Sequence, residues 1–209
     1  MEPSIDPADD DPIVRALQRP VETRDTEFKE SQPFDTLKWR IVKTCMAMAN
    51  LRDGGRIIIG VSERTGRLEA VGMHPDHESE YNQDDLYAIV NRYARPPVAL
   101  TLRVVDYDGK RFIAIEIREF SRVPIFCGVG TPPESGKDQL RVGDIPGRSR
   151  DRIATSKIHD VDLVAEVIEV AAEKRAAEII ATAQRIGLRL PPADRDHFAE
   201  ERRNFGDFD

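Results

Sequence analysis

Five consecutive residues, Ile57-Ile58-Ile59-Gly60-Val61, constrain this chain more than any others. The run is too short for an ordinary helix and is almost wholly β-branched, so it reads as a strand. Neither face carries a polar side chain. Such a strand must be covered on both sides, which places it centrally in a sheet. Two helices can supply cover. After Pro33, the residues Leu37, Ile41, Cys45 and Met48 recur near helical spacing, with Val42, Met46 and Ala49 broadening the face. Asp35 or Thr36 can cap that helix, and Asn50 ends it. Residues 83–94 repeat the pattern through Leu86, Ile89, Val90 and Tyr93, and Pro96-Pro97 stops them.

The remaining elements follow from turn chemistry and alternation. Asp53-Gly54-Gly55 turns the first helix into the central strand. Thr26–Lys29 alternates, with Phe28 on one face and Glu27 and Lys29 on the other. Residues 98–107 and 111–117 flank Asp108-Gly109, a two-residue hairpin signal. Thr65-Gly66 turns into a strand at 68–71, and 139–142 reads as a late short strand. Residues 73–82 and 119–138 read as loop. The longest helix is expected over 160–183, with Val161, Val164, Ile168, Ala171 and Ala172 on its apolar side. The order predicts an α+β fold, a mixed β-sheet packed with helices.

Charge refines the organisation. The 209 residues carry a formal net charge of −7. Residues 1–11 hold five acids and no base, and 194–209 hold six acids and three Arg. Between them stand 27 acids and 28 bases, so the body is nearly neutral and nucleic acid is not excluded. We therefore read 1–20 as an acidic flexible arm with a short helix near 13–18. The domain covers 21–157, a C-terminal helix 158–190, and an acidic tail 191–209, both ends being expected to be disordered. Two cysteines make neither a disulfide framework nor a cysteine zinc site, and the expected compartment is the reducing cytoplasm. No run approaches eighteen apolar residues, so no membrane span is expected, and the acidic N-terminus is not expected to be a secretory signal.

Five segments form an ordered set. They are Glu22-Thr-Arg-Asp-Thr-Glu27-Phe28-Lys29-Glu30-Ser31, Lys43-Thr-Cys-Met-Ala47-Met-Ala49-Asn50, Gly54-Gly55-Arg56-Ile57-Ile58-Ile59-Gly60-Val61, Leu68-Glu-Ala-Val-Gly72 and Leu140-Arg141-Val142-Gly143. Together they resemble the Schlafen-type AlbA-2 domain, over roughly residues 21–149. The resemblance implies a nucleic-acid-binding lobe, with RNA or DNA as partner. Some members of that family cleave transfer or ribosomal RNA with three carboxylates and a divalent metal. Carried over, those carboxylates are Glu22, Glu27 and Glu63, which would be catalytic and hold Mg²⁺ or Mn²⁺. Glu63 stands where the family pattern has Asp. The family's zinc-binding set is absent, so no zinc is expected. Schlafen proteins use two lobes, and this chain has one, so a homodimer is expected to rebuild the pair.

The residues themselves leave alternatives. Carboxylates are suitable hard ligands, and a metal could activate water, but the three must converge. Five-residue spacing puts Glu22 and Glu27 on opposite faces of an unbroken strand, so a bend is required. The other reading is solvated charge or ion pairs. Lys29 can meet a phosphate or pair with Glu27. Arg141, Arg148, Arg150, Arg152 and Lys157 oppose only Asp144 and Asp151, and such a stretch can track a phosphate backbone or simply be solvated. Gly54-Gly55 lacks the spacing of a nucleotide-binding loop and leads into a strand, so no ATP is expected. His74 and His77 lie in a polar loop with no further ligand nearby in sequence. Two functions remain: a metal-dependent endoribonuclease acting on structured RNA such as tRNA, or a non-catalytic DNA-binding or regulatory module. A pure protein-interaction adaptor is third.

Overall fold

A computed structural model describes residues 11–149, 155–157 and 161–188. In chain order the elements are α1 (Pro12–Gln18), β1 (Thr26–Lys29), α2 (Phe34–Met48), β2 (Gly55–Ile59), β3 (Val61–Arg64), β4 (Arg67–Ala70), α3 (Pro75–Glu78) and α4 (Gln83–Tyr93). They continue as β5 (Ala94–Arg95), β6 (Leu100–Tyr107), β7 (Lys110–Ile117), β8 (Phe126–Cys127), a 3-10 segment (Pro133–Asp138), β9 (Pro146–Arg148), β10 (Thr155–Lys157) and α5 (Val161–Arg185). The chain divides into two units, Met1–Ala171 and Ala172–Asp209. The sheet and both clefts described below belong to the first.

The main sheet has the order β1-β2-β7-β6. Its β1–β2 pair is parallel and the others are antiparallel, so the sheet is mixed and the fold is α+β. β2 lies between β1 and β7, as its composition demands. Ile57 and Ile59 pack with α2 and α4 in one buried cluster. Ile58 faces the other way, into a second cluster with Phe28, Phe112 and two residues of α1, Ile13 and Leu17. The isoleucine run is therefore covered on both faces. The strand ends two residues sooner than expected, at Ile59. Gly60 takes φ +113, and a Cβ there would lie 2.8 Å from Phe112, so only glycine lets the chain leave the sheet. Val61 then begins the separate β3–β4 hairpin.

Hydrogen bonds from outside the sheet cover part of each outer edge. On β6, Gln83 of α4 donates to Leu100 O and accepts from Leu102 N. On β1, Thr23 N donates to Thr26 O, and Phe28 N donates to a Glu22 carboxylate oxygen at 3.3 Å.

Several expectations change. The arm is a docked helix from Asp11 onward: Asp11 caps α1, and Arg103 grips its carboxylate with two hydrogen bonds of 2.6 and 2.8 Å. Residues 139–142 are not a strand. Leu140 is instead tied by its N–H and C=O to Thr131. The basic stretch 141–157, expected to track a phosphate backbone or be solvated, contains β9 and β10, which pair antiparallel. Residues 73–82 contain the short α3.

The α5 helix turns a different face inward. Leu163, Val167 and Val170 are buried, whereas Val161, Val164 and Ile168 are exposed. The helix carries two apolar stripes, and Arg24 decides between them. It holds Glu166 through two 2.8 Å bonds, and Glu166 shares the side of Leu163 and Val167. In the second unit the helix ends with Gly187 at φ +76, where Gly187 N bonds Gln184 O and Leu188 N bonds Ala183 O, a glycine C-cap.

Candidate functional site

The bend that Glu22 and Glu27 require is present at Arg24 and Asp25. Strand alternation then puts Glu27 and Lys29 together, away from Phe28. The consequence is burial. Glu27 is 6% exposed, against α2. Its Oε1 lies 2.5 Å from Lys29 Nζ. Its Oε2 pairs with the Arg148 guanidinium and accepts from Thr44 Oγ1 at 3.4 Å.

Arg148 is 1% exposed. Besides Glu27, it donates to Arg24 O at 3.0 Å, Thr23 O at 3.1 Å and Thr155 Oγ1 at 3.2 Å. Four of the five guanidinium N–H groups are committed and the side chain is buried, so little is left to offer a phosphate from outside. The expected phosphate contact at Arg148 is thus replaced by a structural one. It pins β9 to the bend before β1.

The other predicted residues separate. Glu22 is half-buried at the edge of β1, and Glu63 is exposed on β3. Arg141 is exposed, and its backbone N–H donates to Asp144. Arg150 and Arg152 lie outside the described residues. Among the described residues, no group of three His, Cys, Asp or Glu side chains is placed to hold a metal ion. As folded, the carboxylates do not fit a divalent cation. Glu27 already has two cations, and a third could enter only by displacing one.

Two clefts meet along β1. The larger, of about 1030 Å³, is lined by Glu22, Lys29 and Glu63 together with Arg19, Arg40 and Arg67. The smaller, of about 400 Å³, is lined by Glu22, Glu27, Lys29, Arg40, Lys43, Lys137, Asp138 and Arg148, with Thr44 and Thr155. Glu22, Lys29 and Arg40 belong to both. Sequence reasoning missed Arg40, Lys43 and Lys137. A signal was available: Arg40, Lys43 and Thr44 interrupt the apolar pattern of α2 at helical spacing, marking a polar face.

Residues of the recognised segments explain much of this geometry. Buried Asn50 donates to Ile125 O and Pro146 O, each at 2.9 Å, and accepts from Ile125 N at 2.7 Å. Gly54 sits at φ +74, where a Cβ would come within 2.0 Å of Ile117 O. Each holds the loops around the sheet. The family model described as Schlafen, AlbA_2 matches residues 22–150, well over half of the chain.

The chain belongs to the Schlafen AlbA_2 family. In this AlbA_2 domain the matched span runs from Glu22 past Arg148 and so contains the whole ion-pair cluster of Glu27, Lys29 and Arg148. Solved structures give looser likenesses. The DIP2311 protein from Corynebacterium diphtheriae is 18% identical with a TM-score of 0.41; the match covers 65% of this chain and 22% of that one. The N-terminal domain of a RecG-related ATP-dependent DNA helicase protein from Nitrosomonas europaea is 21% identical with a TM-score of 0.44; the match covers 71% and 94%. No curated protein matches the sequence significantly. Among the described residues, no helix is long and apolar enough to cross a membrane.

Proposed function

We propose that this AlbA_2 domain binds nucleic acid through its phosphates, along the two joined clefts beside β1, as a module that does not cleave. One observation carries the reading: along the joined clefts seven cationic side chains, Arg19, Arg40, Lys43, Arg67 and Lys137 among them, outnumber five carboxylates within a nearly neutral body. Cations in a concavity concentrate an approaching polyanion more than the same cations scattered over a surface. The two free buried cysteines suit a reducing cytoplasm.

A second reading, a Mg²⁺- or Mn²⁺-dependent endoribonuclease acting on structured RNA such as tRNA, keeps one observation in its favour. Glu22, Lys29 and Glu63 line the same cleft. The pairing of Glu27 with Lys29 and Arg148 argues against it. A homodimer belongs to the proposal as well. α5 leaves Val161, Val164 and Ile168 exposed, and a monomeric mass by light scattering at micromolar concentration would remove it.

The test is equilibrium binding of tRNA and of duplex DNA across a salt series, with and without a chelator. Binding that weakens steeply with salt and ignores the chelator is expected. No salt-sensitive binding to either would overturn the reading, and chelator-sensitive cleavage of tRNA would replace it with the endoribonuclease.

A further inference from the structure

We propose that the smaller cleft is a phosphate-binding site in which Asp138 occupies the place of the phosphate. The site deepens the nucleic-acid reading, but it would bind phosphate even if that reading failed. Lys29 and Arg148 are committed to Glu27. The cations left are Arg40 and Lys43, one turn apart on α2, and Lys137 of the 3-10 segment. Asp138 faces the first two loosely. It lies 3.9 Å from Arg40 Nε and 3.6 Å from Lys43 Nζ. Both distances exceed a hydrogen bond, so the carboxylate balances charge without saturating the donors. Lys43 turns instead to the backbone, donating to Lys137 O at 3.3 Å. The Lys43 side chain is mostly covered, 12% exposed, and its ammonium lines the cleft with donors to spare.

A phosphate group suits what is missing. Its oxygens can take several charge-assisted donors at once, where one carboxylate reaches none of these well. The lining holds five cationic and three carboxylate side chains, an excess of two positive charges that becomes three once Asp138 is displaced. A phosphodiester would neutralise one of them, and a terminal phosphate about one and a half to two. The volume of about 400 Å³ admits a phosphate with part of its sugar. The 3-10 segment carries Lys137 and Asp138 as neighbours, so displacing Asp138 leaves Lys137 at the rim to close on the ligand.

The proposal fixes opposite signs for adjacent residues. Lys43→Ala and Lys137→Ala should each weaken binding of a single-stranded RNA oligonucleotide about fivefold and reduce the salt slope by about 1. Asp138→Asn should tighten it about threefold, because an internal competitor is gone. A clamp that merely holds the segment to α2 would give the reverse for Asp138. Inorganic phosphate titrated into the isotope-labelled full chain should shift the amides of Lys43, Lys137 and Asp138 saturably. If phosphate saturates but no oligonucleotide binds, the site stands and the nucleic-acid reading falls. A preference for a 5′-phosphate over a 5′-hydroxyl oligonucleotide, lost in Lys137→Ala, identifies a strand end; equal affinity identifies the backbone. Unshifted amides together with unchanged affinity in both lysine variants, or weaker binding by Asp138→Asn, would overturn the proposal.

Discussion

Replacing Glu27 by Ala strands the Arg148 guanidinium in a buried site and leaves Lys29 without its partner. Breaking a buried ion pair from one side costs about 3–5 kcal/mol. We expect Glu27→Ala to lose stability on that scale in urea denaturation. Replacing Glu27 and Arg148 together by Met should restore part of it, because the buried guanidinium is gone and only Lys29, less deeply buried, is left without its ion pair. A Glu27→Ala protein as stable as the parent would show the pair to be idle. Loss of function in Glu27→Ala alone therefore says little about chemistry. The sequence showed that Glu27 and Lys29 share a face, because alternation is local. It could not show that Arg148, 121 residues away, would take the second oxygen. Asn50 is similar: it looked like the end of a helix, while its partners lie 75 and 96 residues further on.

The α1 helix shows how much one charged pair can decide for an element. Seven residues are too few to be helical alone. The helix forms because Ile13 and Leu17 enter the second core cluster and Asp11 fixes its start. Hydrogen bonding from Arg103 holds the Asp11 carboxyl below the usual carboxylate range, with the helix N–H groups assisting. A lowered folded pKa means the stabilisation is complete above the unfolded value of about 3.9 and is lost as pH falls through the folded one. The protection factor of the Leu17 amide, the unfolded exchange rate divided by its own rate at the same pH, should fall on acidification below that range. Asp11→Asn should already exchange faster at neutral pH, and its protection should respond less to acid. Equal pH responses in both proteins would remove Asp11 from this role. From sequence, α1 was visible only as a short helix near 13–18, because two apolar residues do not reveal what they cover. The α5 helix was misread for a related reason: two stripes of similar apolarity compete, and Arg24 gripping Glu166 selects between them.

Over the whole molecule, negative charge stands at the two ends and the cations gather around the clefts. Removing residues 1–10 and 189–209 should tighten nucleic-acid binding a few-fold at low salt, with little effect at high salt, where screening already silences the ends. Unchanged affinity at low salt would make the ends bystanders. The cut must spare Asp11, which belongs to the fold. The sheet itself was legible, since β2 needed cover on both faces and the Asp108-Gly109 turn joins β6 to β7 as expected. The clefts were not, because they arise where α2, β1 and the distant 3-10 segment come together.

The two sheet edges have a consequence of their own. An open strand is a template, and a second molecule can add to it, then a third. Here Gln83 occupies the outward groups of Leu100 and Leu102, and Glu22 occupies that of Phe28. Growth of a fibre along those stretches would first have to evict a side chain already bonded there. The same Glu22 that resemblance marks as a metal ligand thus covers an outward N–H of the edge strand.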